Sequence, residues 1–203
     1  MTKIPFAVAV AVAIAFTAAL AVPAHAVTFE GASTQGATTV VDYSTIGLMS
    51  FDIDFANTAP AVLSFRIEPG DVAGGQPFTL NAILRNFAGS GFGGYQLAFD
   101  TGAFATIGTV TRPFGGSTQI GVVGSTATFS FGTPEFLDVE VGNALGTTAG
   151  AIDWRLAGVQ AGDRINLNVS VVPEPGSVAL MFAGLAALGF TARRRSQHLP
   201  GRG

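Results

Sequence analysis

The chain has 203 residues, 48% hydrophobic and 11% charged, with 27 Gly, no Cys and a formal net charge of −3. That length fits one ordinary domain, or one domain plus processing segments, and the near balance of charges offers no basic face for nucleic acid. Without Cys there is no disulfide framework, no thiolate metal site and no cysteine nucleophile.

The first element reads as a signal helix over residues 1–26. Lys3 supplies a positive start, and Phe6 to Val22 is Ala, Val, Ile, Leu and Phe except for Thr17. Pro23 then precedes Ala24-His25-Ala26, the small-x-small pattern cut by signal peptidase. Cleavage after Ala26 starts the mature chain at Val27. A buried core helix is the alternative, and the absence of any 3.6-residue period speaks against it.

The body, residues 27–172, carries five arginines against twelve acidic residues, and no Lys or His. Thirteen of the 17 Phe fall in it, which is a core-forming rather than a disordered composition. Period-two alternation recurs along it. Phe51, Ile53 and Phe55 alternate with Asp52 and Asp54; Leu63, Phe65 and Ile67 with Ser64 and Arg66. Further on come Leu137, Val139 and Val141 against Asp138 and Glu140, then Ile152, Trp154 and Leu156 against Asp153 and Arg155. Ile165, Leu167 and Val169 close the series. Less regular strands are expected over 78–85, 94–99, 105–111 and 126–131. Turn signals separate them, among them Pro69-Gly70-Asp71, Gly89-Ser90-Gly91 and Gly115-Gly116-Ser117. Eight to ten short strands with one polar face each predict an all-β fold, an antiparallel β-sandwich of Ig-like or jelly-roll type.

Within the body, the stretch Ile67–Asp100 resembles the early strands of cohesin-type and carbohydrate-module sandwiches. A Gly70-Asp71 turn feeds an alternating strand, and Gly94-Tyr95-Gln96-Leu97 with Phe99-Asp100 follows. The resemblance implies the sandwich architecture; the Pro-containing turn usual after it is replaced by Thr101-Gly102-Ala103-Phe104.

After the body come Pro173-Glu174-Pro175-Gly176, the apolar run 177–192 and Arg193-Arg194-Arg195. Sixteen helical residues span about 24 Å, somewhat less than the ~30 Å hydrocarbon core. The arginines form a basic stop that keeps the preceding domain outside the inner membrane. This arrangement, over residues 173–196, resembles a PEP-CTERM sorting signal, with 197–203 as a short tail. The resemblance implies an exported protein, transiently anchored by the C-terminal membrane helix and recognised through Pro173, Glu174 and Pro175. The recognising enzyme is an exosortase, a membrane cysteine protease of exopolysaccharide-producing bacteria, and the implied destination is the cell surface or extracellular matrix.

Catalytic residues are not expected, nor is a cofactor. No base remains in the body to activate a Ser or Thr nucleophile, and no His or Cys to bind zinc. Two carboxylate pairs, Asp52/Asp54 and Asp138/Glu140, stand at i, i+2 on one strand face each. Asp52 and Asp54 are the calcium candidates, a glycosidase acid/base pair is a further option, and solvent-facing carboxylates are the plain alternative. Phe92, Tyr95 and Trp154 are the aromatics considered for stacking on sugar; core packing is the expectation for Trp154, and Phe92, between glycines, is the better surface candidate although burial is the expectation there too. The body is thus expected to be a non-catalytic structural or adhesive module, with binding of matrix polysaccharide as the alternative.

Overall fold

The computed structural model describes residues 26–173, 180 and 182–186. The alternating segments form strands, numbered in chain order as β1 (Thr28–Ser33), β2 (Thr39–Asp42), β3 (Leu48–Phe55), β4 (Ala61–Arg66), β5 (Phe78–Asn86), β6 (Phe92–Phe99) and β7 (Ala103–Thr106). They continue as β8 (Val110–Thr111), β9 (Thr118–Val123), β10 (Thr126–Glu135), β11 (Val139–Val141), β12 (Trp154–Ala157) and β13 (Arg164–Pro173). Where Pro69-Gly70-Asp71 predicted a turn, Pro69–Gly75 forms two short 3-10 turns broken by a kink at Ala73 and Gly74.

The architecture is an all-β sandwich. One sheet runs β1-β4-β13-β6-β10-β9; the other runs β2-β3-β5-β11-β8, with β12 on β5 and β7 on β12. The alternating apolar sets point inward, apart from Leu137 and Ile152 at the starts of two of them. Phe51, Ile53 and Phe55 of the second sheet and Leu63, Phe65, Leu97 and Leu167 of the first are fully buried in one core. Aromatic rings tie the sheets together: Phe51 against Phe65, Phe55 against Tyr95, and Phe129 against Trp154 at 5.3 Å between centroids. Such pairs add about 0.5–1.5 kcal/mol each beyond the area they bury.

One pair departs from the antiparallel expectation: β3 and β5 are parallel, with Asp52 opposite Ile83 and Asp54 opposite Arg85. The cause is β4, which crosses to the other sheet between them and reverses the chain once. Parallel neighbours need such a crossover, and alternation along a strand carries no record of its direction. The expected strand over 105–111 is likewise two pieces, β7 and β8, and Ile152 stands outside β12, half exposed.

Gly94 is required where β6 passes β10. Its φ is 156°, and a Cβ there would lie 1.9 Å from the Phe129 carbonyl oxygen. Only glycine allows the backbones to approach this closely.

At the end of the first sheet where β1 begins, Glu30 accepts hydrogen bonds from Arg164 and Arg66. The Arg164 hydrogen bond, reinforced by Arg66, holds the Glu30 carboxyl below its ordinary value of 4.5. A carboxyl depressed in the folded state stabilises above its unfolded pKa and loses that contribution as pH falls through the folded value. Stability should therefore drop on acidification below about pH 4.5, and Glu30→Gln should flatten that limb in urea unfolding measured across acid pH. An unchanged acid limb would remove Glu30 as its source.

Candidate functional site

The outer face of the second sheet gathers the carboxylates that the sequence singles out. On β3, Asp52 and Asp54 point away from the core between buried Phe51, Ile53 and Phe55. On β5 the outward set includes Asn81, Ile83 and Arg85, and just before and on β11 it is Asp138 and Glu140. Because β5 lies between β3 and β11, three of the four carboxylates, Asp52, Asp54 and Asp138, converge on Arg85. Its Nη2 donates to Asp52 at 2.6 Å and its Nη1 to Asp54 at 3.0 Å, while Nε stands 3.8 Å from Asp138. Partial burial works against the guanidinium's charge. The hydrogen bonds to Asp54 and Asp52 outweigh it, and the Arg85 pKa sits above the ordinary arginine value.

The fourth carboxylate does different work. Glu140 Oε1 accepts from the Leu145 N–H at 3.0 Å and Oε2 from the Thr148 hydroxyl at 2.8 Å. It thereby pins the connection between β11 and β12. Asp153 Oδ1 holds the same connection from its far side, accepting from the Asn143 N–H at 2.8 Å and from Asn81 Nδ2 at 3.2 Å. Among the described residues, no group of three acidic or histidine side chains is arranged to hold a metal ion. The calcium candidates Asp52 and Asp54 face the Arg85 guanidinium instead.

Around this cluster lies a shallow concavity of about 600 Å³, lined by Tyr43, Ser50, Asp52, Asn81, Arg85 and Asn143 among others. A smaller hollow of about 290 Å³ adjoins it across Ile83, Arg85 and Leu145. Tyr43 and Leu145 stand more than half exposed, and the Oδ1 atoms of buried Asn81 and of Asn143 have no hydrogen-bond partner. Tyr43 had no distinguishing signal in the sequence; the β2–β3 turn alone places it.

Trp154 and Tyr95 are fully buried, and so is Phe92, the better surface candidate of the three. Gly91 leads into β6 and Gly93 lies within it, and Phe92 turns inward onto Phe55 and Tyr95. Burial, then the Glu135 and Asp138 charges, raise the Tyr95 hydroxyl pKa far above its usual range.

Both processing boundaries abut this sandwich. Val27, the residue after the expected signal cleavage, is already buried, and β1 starts at Thr28. The cleavage residue Ala24 lies outside the described residues. At the other end β13 is an interior strand, paired with β4 and β6 on its two sides. Val171, Val172 and Pro173 pair with Tyr95, Gly94 and Phe92, so the chain enters the sorting segment straight from the sheet. Pro173 has no N–H to extend the ladder, which suits it to end a strand. Glu174, Pro175, Gly176 and Arg193–Arg195 lie outside the described residues, as does most of the apolar run 177–192. Among the described residues, no helix is long and apolar enough to cross a membrane.

The fold and its boundaries define a β-sandwich that delivers its last interior strand into a processing segment. Residues 171–195 match the family model of the PEP-CTERM protein-sorting motif. The chain thus carries a PEP-CTERM sorting motif, which implies an exported protein sorted by an exosortase to the cell surface. No curated protein matches the chain, and no solved structure does.

Proposed function

We propose that the sandwich is a non-catalytic structural or adhesive module, displayed at the cell surface or in the extracellular matrix once signal peptidase and exosortase have acted. Before exosortase acts, residues 177–192 tether it to the inner membrane, with Arg193–Arg195 on the cytoplasmic side. The observation that carries the non-catalytic reading is the commitment of the carboxylates. Asp52 and Asp54 bind Arg85, Glu140 binds the chain of a loop, and Glu135 binds Arg112. A general acid or base needs a proton to exchange with substrate, and these groups spend their lone pairs on the protein.

The concavity favours a second reading, recognition of a matrix polysaccharide. The exposed Tyr43 ring would serve as a stacking platform, beside the polar side chains of Ser50, Asp52 and Asn143 that line the concavity. Binding of the secreted protein to a glycan array, lost in Tyr43→Ala, supports that reading. A flat array leaves the structural role. Hydrolysis of a polysaccharide panel, abolished in Asp138→Asn, would overturn the non-catalytic reading altogether.

A further inference from the structure

The strand registers fix which end of the sandwich each terminus leaves from. Thr28 and Arg164 both face Arg66 across β4, so β1 and β13 start at one end and run side by side in direction. The sorting segment leaves from the opposite end, beyond Pro173. The separation is the length of β13, ten residues at about 3.3 Å each, or roughly 33 Å.

The exit end has a composition of its own. The strand ends and pairings bring five connections there: 34–38, 56–60, 87–91, 112–117 and 136–138. They include Phe87, Phe114 and Phe136, which are 65%, 84% and 57% exposed, and no other Phe of residues 26–173 is as much as half exposed. Leu137 stands beside them, 43% exposed. These connections contain only two charged residues, Arg112, which is buried, and Asp138. The far end also exposes single apolar residues, Ile46 and Val123, but sets them among Glu30, Arg66, Glu68, Asp100, Asp163 and Arg164.

The three Phe-bearing connections are held together from below. Asn86 Nδ2 donates to the Glu135 carbonyl oxygen at 2.9 Å, and Glu135 Oε1 accepts from the N–H groups of Phe136 and Leu137. Arg112 Nε donates to Glu135 Oε2 at 2.9 Å, anchoring the connection that carries Phe114. Phe92, Glu135 and Pro173 lie in lateral register across β6, β10 and β13, so this clamp adjoins the chain exit.

We propose that this end of the sandwich is a membrane-docking surface, with Phe87, Phe114 and Phe136 inserted in the lipid interface around the emerging sorting segment. The proposal rests on the tethered reading of residues 177–192. From Pro173 to Ser177 is four residue steps, at most about 14 Å of extended chain. A chain anchored from Ser177 onward therefore brings this end, and not the charged one, against the bilayer. Apolar aromatic side chains on a surface nearly free of charge partition into the headgroup boundary. Docking holds the sandwich upright, with the Arg85 face turned sideways and the Glu30 end outermost, and fixes the sorting motif at the membrane surface.

The absence of cysteine allows a single reporter to be placed at will. The full chain is reconstituted into phosphatidylethanolamine–phosphatidylglycerol vesicles, bearing a fluorophore on Phe114→Cys, Phe136→Cys or Ala161→Cys, the last at the charged end. Lipid-borne nitroxide is expected to quench the first two by about twofold or more and to leave the third unaffected. If the chain floats with the vesicles but all three labels respond alike, the tether stands and the docking surface is refuted. If the chain fails to float, both tether and docking fail. Shielding of 114 and 136 in native membranes but not in protein-free vesicles would assign the patch to a membrane protein and overturn the lipid assignment.

Discussion

Replacing Arg112 with Met is expected to cost about 3–5 kcal/mol of folding stability, because it leaves a buried carboxylate without its counter-charge. The Arg112 and Glu135 side chains are each only 4% exposed. Arg112 also donates from Nη2 to the Thr133 carbonyl oxygen at 2.7 Å and stacks 4.5 Å from the centre of the Phe131 ring. Its loss therefore strips a charge, a backbone anchor and an aromatic contact at once. A second change, Glu135→Leu in the same chain, removes the orphaned charge and should recover part of the loss. Recovery stays incomplete because Glu135 also accepts from the Phe136 and Leu137 N–H groups, which then lose their partner. Urea unfolding followed by the fluorescence of Trp154, the only tryptophan, measures all three proteins. A cost for Arg112→Met below about 1 kcal/mol would place the pair among solvated surface bridges, contrary to the burial seen here.

Trp154→Ala is the second large effect, also about 3–5 kcal/mol, since truncating a buried aromatic leaves a cavity the sheets cannot close. The indole is fully buried between Phe104 and Phe129, and Nε1 donates to the Thr109 carbonyl oxygen at 3.1 Å. That carbonyl also accepts from the Gly142 N–H at 2.8 Å, so it keeps one partner without the indole. Trp154→Phe should consequently cost much less, about 1 kcal/mol for the lost hydrogen bond plus a smaller packing defect. Thermal unfolding by circular dichroism distinguishes the two. Equal losses in Ala and Phe variants would mean that the hydrogen bond, rather than the ring volume, dominates at this position.

The central strands were legible because burial on one face forces a clean alternation: 50–55 and 165–170 lie within β3 and β13, and 63–67 runs one residue past the end of β4. The strands that alternation did not reveal, β1, β2 and β9, are each at a sheet edge. An edge strand has one neighbour and a half-exposed inner face, so Thr28–Ser33 needs only Phe29 against the core. The pattern there is too weak to read. The two carboxylate pairs were legible as pairs, since i and i+2 share a face whatever the fold. Their meeting at Arg85 was not, because it depends on which strands flank β5, and the crossover through β4 decides that. At Phe92 the flanking glycines say less than the strand period does: Gly91 leads into β6, Gly93 lies within it, and Phe92 takes an inward position.

Processing of the two ends is directly measurable, and there the sequence motifs and the limits of the sandwich coincide. Val27 opens the folded core and Pro173 closes its last strand, so cleavage outside these limits leaves every strand intact. Intact-mass measurement of the protein recovered from the surface of its native cells tests this directly. The expected product is a chain that begins at Val27 and has lost the apolar run 177–192 together with Arg193–Arg195. Recovery of an unprocessed chain, running through Gly203 with residues 1–26 still attached, would contradict it.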